Sequence, residues 1–175
     1  MIVKKVPNPK KSASKAQRIG QLTSYVRSPE SESPQEKSLY AGARGFMMDD
    51  PKSQTAEMIA LSQEAVRSKD TINHYVLSWR EGEQPSPEQV EEAVSIFMDE
   101  LGWKDHQAIY GLHSDTDNIH LHIVINRVHP ETLKIVEKNR GFDIELAHKA
   151  IARIEHAQGW QREQNGRYQV LENGE

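Results

Sequence analysis

The stretch from His113 to Asn126, HSDTDNIHLHIVIN, decides how this chain folds. From Ile119 onward the odd positions, Ile119, Leu121, Ile123 and Ile125, are all large aliphatics, while the even positions are His120, His122, Val124 and Asn126. A β-strand sends successive side chains to opposite faces, so the aliphatic row calls for a helical layer beneath it and the two histidines stand together on the other face. Pairing Ser114 with Ile119 closes a four-residue turn of Asp115, Thr116, Asp117 and Asn118, rich in turn formers. His113 then lies directly across from His120. Cross-strand neighbours have Cβ atoms about 4.5–5.5 Å apart, so His113, His120 and His122 are expected to converge on one face of one hairpin.

Working outward, the elements alternate. Met1 to Val6 (MIVKKV) reads as a strand ended by Pro7 and Pro9, and Ser14 to Val26 has helical character, with Tyr25 near its end. Residues 28–37 form a polar loop, Ser38 to Phe46 a strand, and Thr55 to Val66 a helix. His74 to Trp79 is a strand by its β-branched and aromatic content. The helix from Pro87 to Leu101 follows, with Ser86 placed to cap it and Pro87 in its first turn. Strands Gln107 to His113 and Ile119 to Val128 flank the turn, a helix runs from Ile144 to Gln158 and is stopped by Gly159, and RYQVL (167–171) is expected to form a final strand. The pattern predicts an α+β fold, a largely antiparallel central sheet packed with helices, over residues 1–175 as a single domain. That domain is equally compatible with the N-terminal part of a longer protein.

The chain has no cysteine, which excludes thiol catalysis, zinc-thiolate sites and disulfides. No apolar run approaches the roughly 18 to 20 residues of a membrane span, and no signal-peptide core opens the chain, so a cytoplasmic protein without membrane insertion is expected. The formal net charge of −4 weighs against nucleic-acid binding, but its distribution is uneven. Before the first acid, Glu30, stand Lys4, Lys5, Lys10, Lys11, Lys15, Arg18 and Arg27. By itself such a segment reads as a solvated cationic arm.

One histidine on a strand is commonly a packed or surface residue; three on one face opposite an unbroken aliphatic row point to a metal. Three neutral imidazoles suit a transition ion and leave positions open for substrate oxygens. Asp115, in the same turn, can accept an imidazole N–H and fix its tautomer. His74, His106, His129, His148 and His156 lack comparable spacing and read as ordinary. No carboxylate is obviously placed as a general base, and the zinc helix signature His-Glu-x-x-His is absent.

These residues resemble a family. The pattern His-x-Asp-x-x-Asn-x-His-x-His-x-x-x-Asn, filled by His113, Asp115, Asn118, His120, His122 and Asn126, is similar to the third motif of the P-type mobilisation (MobP) relaxases among the HUH endonucleases. The opening MIVKKVP with its Lys-rich continuation and tyrosine resembles the first motif, and HYVLSWREGEQP the second. Read alone, Tyr25 is an aromatic closing a helix; the resemblance makes it the implied nucleophile. It likewise makes Ser78 an implied DNA contact and His113, His120 and His122 the ligands of a divalent metal ion, Mg or Mn. Asp115, a metal-bound hydroxide and bulk water all stay open as acceptors of the tyrosine proton.

The implied activity is site-specific nicking and rejoining of one strand of single-stranded or extruded origin-of-transfer DNA through a 5′-phosphotyrosyl intermediate. Partners implied are accessory relaxosome proteins and a type IV secretion coupling protein, with the protein itself passing into the recipient cell alongside the DNA. A strand track would use Lys10, Lys11 and Arg80, helped by Lys4, Lys5, Lys15 and Arg18, with Trp79 as a stacking surface. Three readings compete: a rolling-circle initiator, whose downstream tyrosine could only be Tyr168; a tri-His hydrolase; and a non-catalytic DNA-binding module.

Overall fold

Antiparallel pairing of the strands that end at Ser114 and begin at Ile119 organises the chain, and the computed structural model describes residues 1–9, 13–115, 117–136 and 142–175. Among the described residues five strands form one sheet in the order β1-β3-β5-β4-β2, every pair antiparallel. They are β1 Ile2–Val6, β2 Lys37–Arg44, β3 Ile72–Ser78, β4 Ala108–Ser114 and β5 Ile119–Asn126. Helices α1 Lys15–Arg27, α2 Pro51–Glu64, α3 Pro87–Glu100 and α4 Phe142–Gln158 complete the α+β architecture, with a short 3-10 turn at Pro29–Ser31.

The period-two reading of β5 sorts the two layers. Leu121, Ile123 and Ile125 lie with Tyr75, Leu77, Tyr110 and Leu112 in a large core closed by Val90, Val94 and Phe97 of α3 and by Ala147, Ala150 and Ile154 of α4. Val124 lies on the opposite face with Ile72 and Ile109, covered by Ile19 and Val26 of α1 and Met58 of α2. The histidine face is therefore also roofed by helices. Helix starts follow side-chain chemistry: Ser14 with Gln17, and Ser86 with Gln89, make reciprocal capping boxes, and Asp50 accepts from the Ser53 N–H.

Two expectations need correction. Helix α2 begins at Pro51, four residues before the expected Thr55, because Asp50-Pro51 is itself a cap and first turn. Residues 167–171 form no strand. Their side chains are tied to α4 instead, where Arg167 pairs with Glu145 and the Tyr168 hydroxyl donates to Glu145 at 2.8 Å. No helix among the described residues is long and apolar enough to cross a membrane.

Candidate active site

The hairpin places His113 opposite His120 and Ser114 opposite Ile119, and His122 lies across from Gly111. The missing side chain at Gly111 matters: a Cβ there would stand 2.0 Å from the carbonyl oxygen of Val26. The last turn of α1 therefore rests directly on β4. His113 Nε2 donates to that same Val26 carbonyl at 2.6 Å, locking the helix end to the strand. Tyr25, one residue earlier, is thereby laid edge-on against both imidazoles, 5.3 Å from the His113 ring centroid and 5.4 Å from that of His122. The two imidazoles are themselves 4.5 Å apart.

His122 is buried and is joined at 2.9 Å, Nδ1 to Nε2, to His74 of β3, one ring donating and the other accepting. Burial, followed by the neighbouring histidines 113, 74 and 120, pushes the His122 imidazole down to about 2. Burial, then Arg18 and His113, brings that of His74 down to about 4. Both rings are neutral near pH 7, the state a metal requires of an imidazole.

His120 stands differently. Its Nδ1 shares a 2.8 Å hydrogen bond with the Ser78 hydroxyl, and its Nε2 lies 3.2 Å from the Asp115 carboxylate. Asp115 also accepts from the backbone N–H groups of Asn118 and Asp117, which, ahead of His120, hold its carboxyl below the ordinary range. His122 thus has His74 and His113 as close ring neighbours, while His120, opposite His113 in the register, turns its nitrogens to Ser78 and Asp115. Among the described residues no three His, Asp or Glu side chains gather tightly enough around one point to grip an ion as they stand. The donor chemistry nonetheless fits a cation: His113 Nδ1 is buried with no hydrogen-bond partner, and Nδ1 of His122 is oriented by His74.

The Glu36 carboxylate, just before β2, accepts the Tyr25 hydroxyl at 2.8 Å, while the same oxygen, Oε2, approaches His113 Nδ1 to 3.5 Å, too far for a hydrogen bond. Burial first, then this bond and the charges of Glu36 and Glu32, raise the Tyr25 phenol well above its ordinary value. Sequence reasoning missed both His74 and Glu36. His74 has the same strand parity as Ser78, and the β3–β5 register, Ser78 opposite His120 and Val76 opposite His122, brings it to the histidine face. Glu36 carries no comparable signal, since a carboxylate at a loop end has no period.

The expected strand track is largely occupied internally. Lys5 pairs with Asp143, Lys15 donates to the carbonyls of Ser62 and Ala65 at the end of α2, and Arg18 lies 3.4 Å from Asp70. Arg80 bonds the Arg162 carbonyl and faces Glu163 at 3.5 Å. Trp79, expected as a stacking surface, is only 2% exposed, because it follows the parity of Leu77 into the α3–α4 core. Lys10 and Lys11 lie outside the described residues.

A tyrosine ring set edge-on to two imidazoles, on an antiparallel sheet, has the parts of a nuclease. The family described as "Relaxase: MobA/VirD2-like, nuclease domain" matches residues 25–160, and the chain belongs to it. Protein MobA of Acidithiobacillus ferrooxidans is 91% identical over 118 residues, which are 67% of this chain and 29% of that protein. Two Escherichia coli proteins named TraI are 40% identical over 75 residues and 36% identical over 88, covering 42% and 50% of the chain but 10% and 12% of their own lengths. The chain therefore spans less than a third of the length of each of these relatives.

Proposed function

We propose that this domain nicks and rejoins one strand at a transfer origin, with Tyr25 as the nucleophile. The observation that carries the reading is the Tyr25 phenol held edge-on against the imidazoles of His113 and His122. Tyr25 Oη attacks the scissile phosphorus, the bond to the 3′ oxygen breaks, and the strand is left with a free 3′ hydroxyl and a 5′-phosphotyrosyl link. One phosphodiester replaces another, so the step is close to reversible and needs no nucleotide hydrolysis. His113, His120 and His122 would hold a divalent ion, Mg or Mn, which when bound supplies positive charge to the non-bridging phosphate oxygens. Ser78 orients the His120 ring through Nδ1, and an ion taken by Nε2 would replace its 3.2 Å contact with Asp115. Ser78 is then a positioning residue as much as a DNA contact, and Arg80, Lys10 and Lys11 serve the strand. Accessory proteins of the origin complex and a secretion coupling protein are the partners this role requires.

The test is incubation of the protein with a labelled single-stranded transfer-origin oligonucleotide and a divalent ion, followed by denaturing electrophoresis. Wild type should yield a protein–DNA species that survives denaturation, and Tyr25→Phe should bind the strand but yield none. Chelation should stop the reaction and added Mn or Mg restore it, with little change in melting temperature, since the histidines stand on strands held by their own backbone ladder. A denaturant-resistant adduct from the Phe variant would move the chemistry to another tyrosine.

A further inference from the structure

The connection between α1 and β2 is built, not merely spanned. Ser31 Oγ donates to the Ser28 carbonyl, Ser33 N–H to that of Pro29 and Glu36 N–H to that of Ser33, while the Glu30 carboxylate accepts the Ser38 N–H at 2.6 Å. Pro29 is buried. These bonds fix the backbone from which Glu36 reaches back across the site. Its Oε2 takes the Tyr25 hydroxyl at 2.8 Å and stands 3.5 Å from His113 Nδ1, so one carboxylate oxygen locates the phenol relative to the histidine pair.

Without that bond the phenol has somewhere else to go. Beside Tyr25 opens a groove of about 480 Å3, walled by Val6, Pro7, Leu22, Gln21 and His74. Nothing else among the described residues hydrogen-bonds the Tyr25 hydroxyl, and the contacts of its ring with His113 and His122 are edge contacts that constrain the ring less than a directed hydrogen bond does.

We propose that Glu36 is a positioning residue, whose hydrogen bond to the Tyr25 hydroxyl holds the phenol over the His113–His122 pair and out of the neighbouring groove. The proposal rests on Tyr25 being the nucleophile. A hydroxyl an ångström out of line loses on the order of a hundredfold in rate, so the effect belongs on the chemical step and not on strand binding. What the bond requires of residue 36 is an acceptor oxygen at that reach, which a glutamine amide also provides.

Single-turnover adduct formation and strand affinity would be measured for wild type, Glu36→Ala and Glu36→Gln on the whole chain, with Tyr25→Phe as the zero. Glu36→Ala should slow adduct formation by about tenfold to a hundredfold with strand affinity unchanged, and Glu36→Gln should return to within a few-fold of wild type. Two results would overturn the inference: an alanine variant reacting at the wild-type rate, or a glutamine variant as slow as alanine, which would show that the charge and not the acceptor is needed. An absent adduct in wild type would instead overturn the reading of Tyr25 itself. Should the alanine variant fold poorly, Glu36→Leu, which keeps the bulk and removes the acceptor, takes its place with the same loss expected and the same wild-type rate as the overturning result.

Discussion

Gly111 has no side chain because the Val26 carbonyl occupies the space one would need. At 2.0 Å the obstacle is backbone, which cannot turn aside as a flexible side chain can. Gly111→Ala must lift the end of α1 from β4, stretching the His113 bond to Val26 and carrying Tyr25 away from both imidazoles. We expect a loss of about 2–4 kcal/mol in denaturant unfolding, together with loss of adduct formation. Gly20, also in the α1 region, supplies the contrast: a Cβ there meets nothing within 4 Å. Gly20→Ala should raise stability by roughly 0.5–1 kcal/mol, through reduced freedom of the unfolded chain, and leave nicking alone. If both substitutions cost the same, steric contact is not what distinguishes the two glycines.

At the scale of elements, α1 and α2 are joined by more than their apolar contacts. Lys15, in the first turn of α1, donates from Nζ to the Ser62 and Ala65 carbonyls at 3.0 and 2.9 Å, which also accept from the Ala65 and Ser68 N–H groups, and so sets a positive charge at the negative end of α2. Lys15→Met keeps the stem and removes the donor. It should cost about 1 kcal/mol of stability and leave the salt dependence of strand binding unchanged, whereas a lysine on a phosphate would lower the log–log slope by about 0.7. The same residue shows where sequence reading stops. Strand β5, the turn and the cross-strand register of His113 with His120 were legible because alternation and turn chemistry are local. Which cations face the substrate and which cap a helix is settled by packing between distant elements, and Lys15 and Arg18 carry no mark of it. Trp79 shows the same limit from the other side, since its parity with Leu77 was readable but the depth of the α3–α4 layer was not. Glu36 reaches the site only through the bonded connection that precedes β2, which nothing periodic announces.

The molecule as a whole has a sheet covered on both faces, and polar groups link its layers. Asp143 in the first turn of α4 pairs with Lys5 of β1 and accepts the Tyr75 hydroxyl of β3 at 2.8 Å. Burial opposes ionisation there, but Lys5 and Tyr75 outweigh it and hold the carboxyl below its ordinary range. A folded value below the unfolded one gives stability that is complete above the unfolded value and is lost as pH falls through the folded value. The melting-temperature advantage of wild type over Asp143→Asn should therefore shrink between about pH 5 and about pH 2; an advantage constant across that range would show that packing, not charge, makes the difference. The strand order has a further consequence. His120 and His122 stand on β5, the middle strand, bonded to a neighbour on each side, so their spacing is as durable as the fold, and Tyr25 is tied to the same sheet by the last turn of α1, where Val26 is buried and its carbonyl accepts from His113. Opening of that turn would break the His113 bond to Val26, so the hydroxyl cannot leave without releasing an imidazole. A nucleic-acid end tethered to Tyr25 would therefore be moored to the sheet itself, parked beside the group that must take it up again.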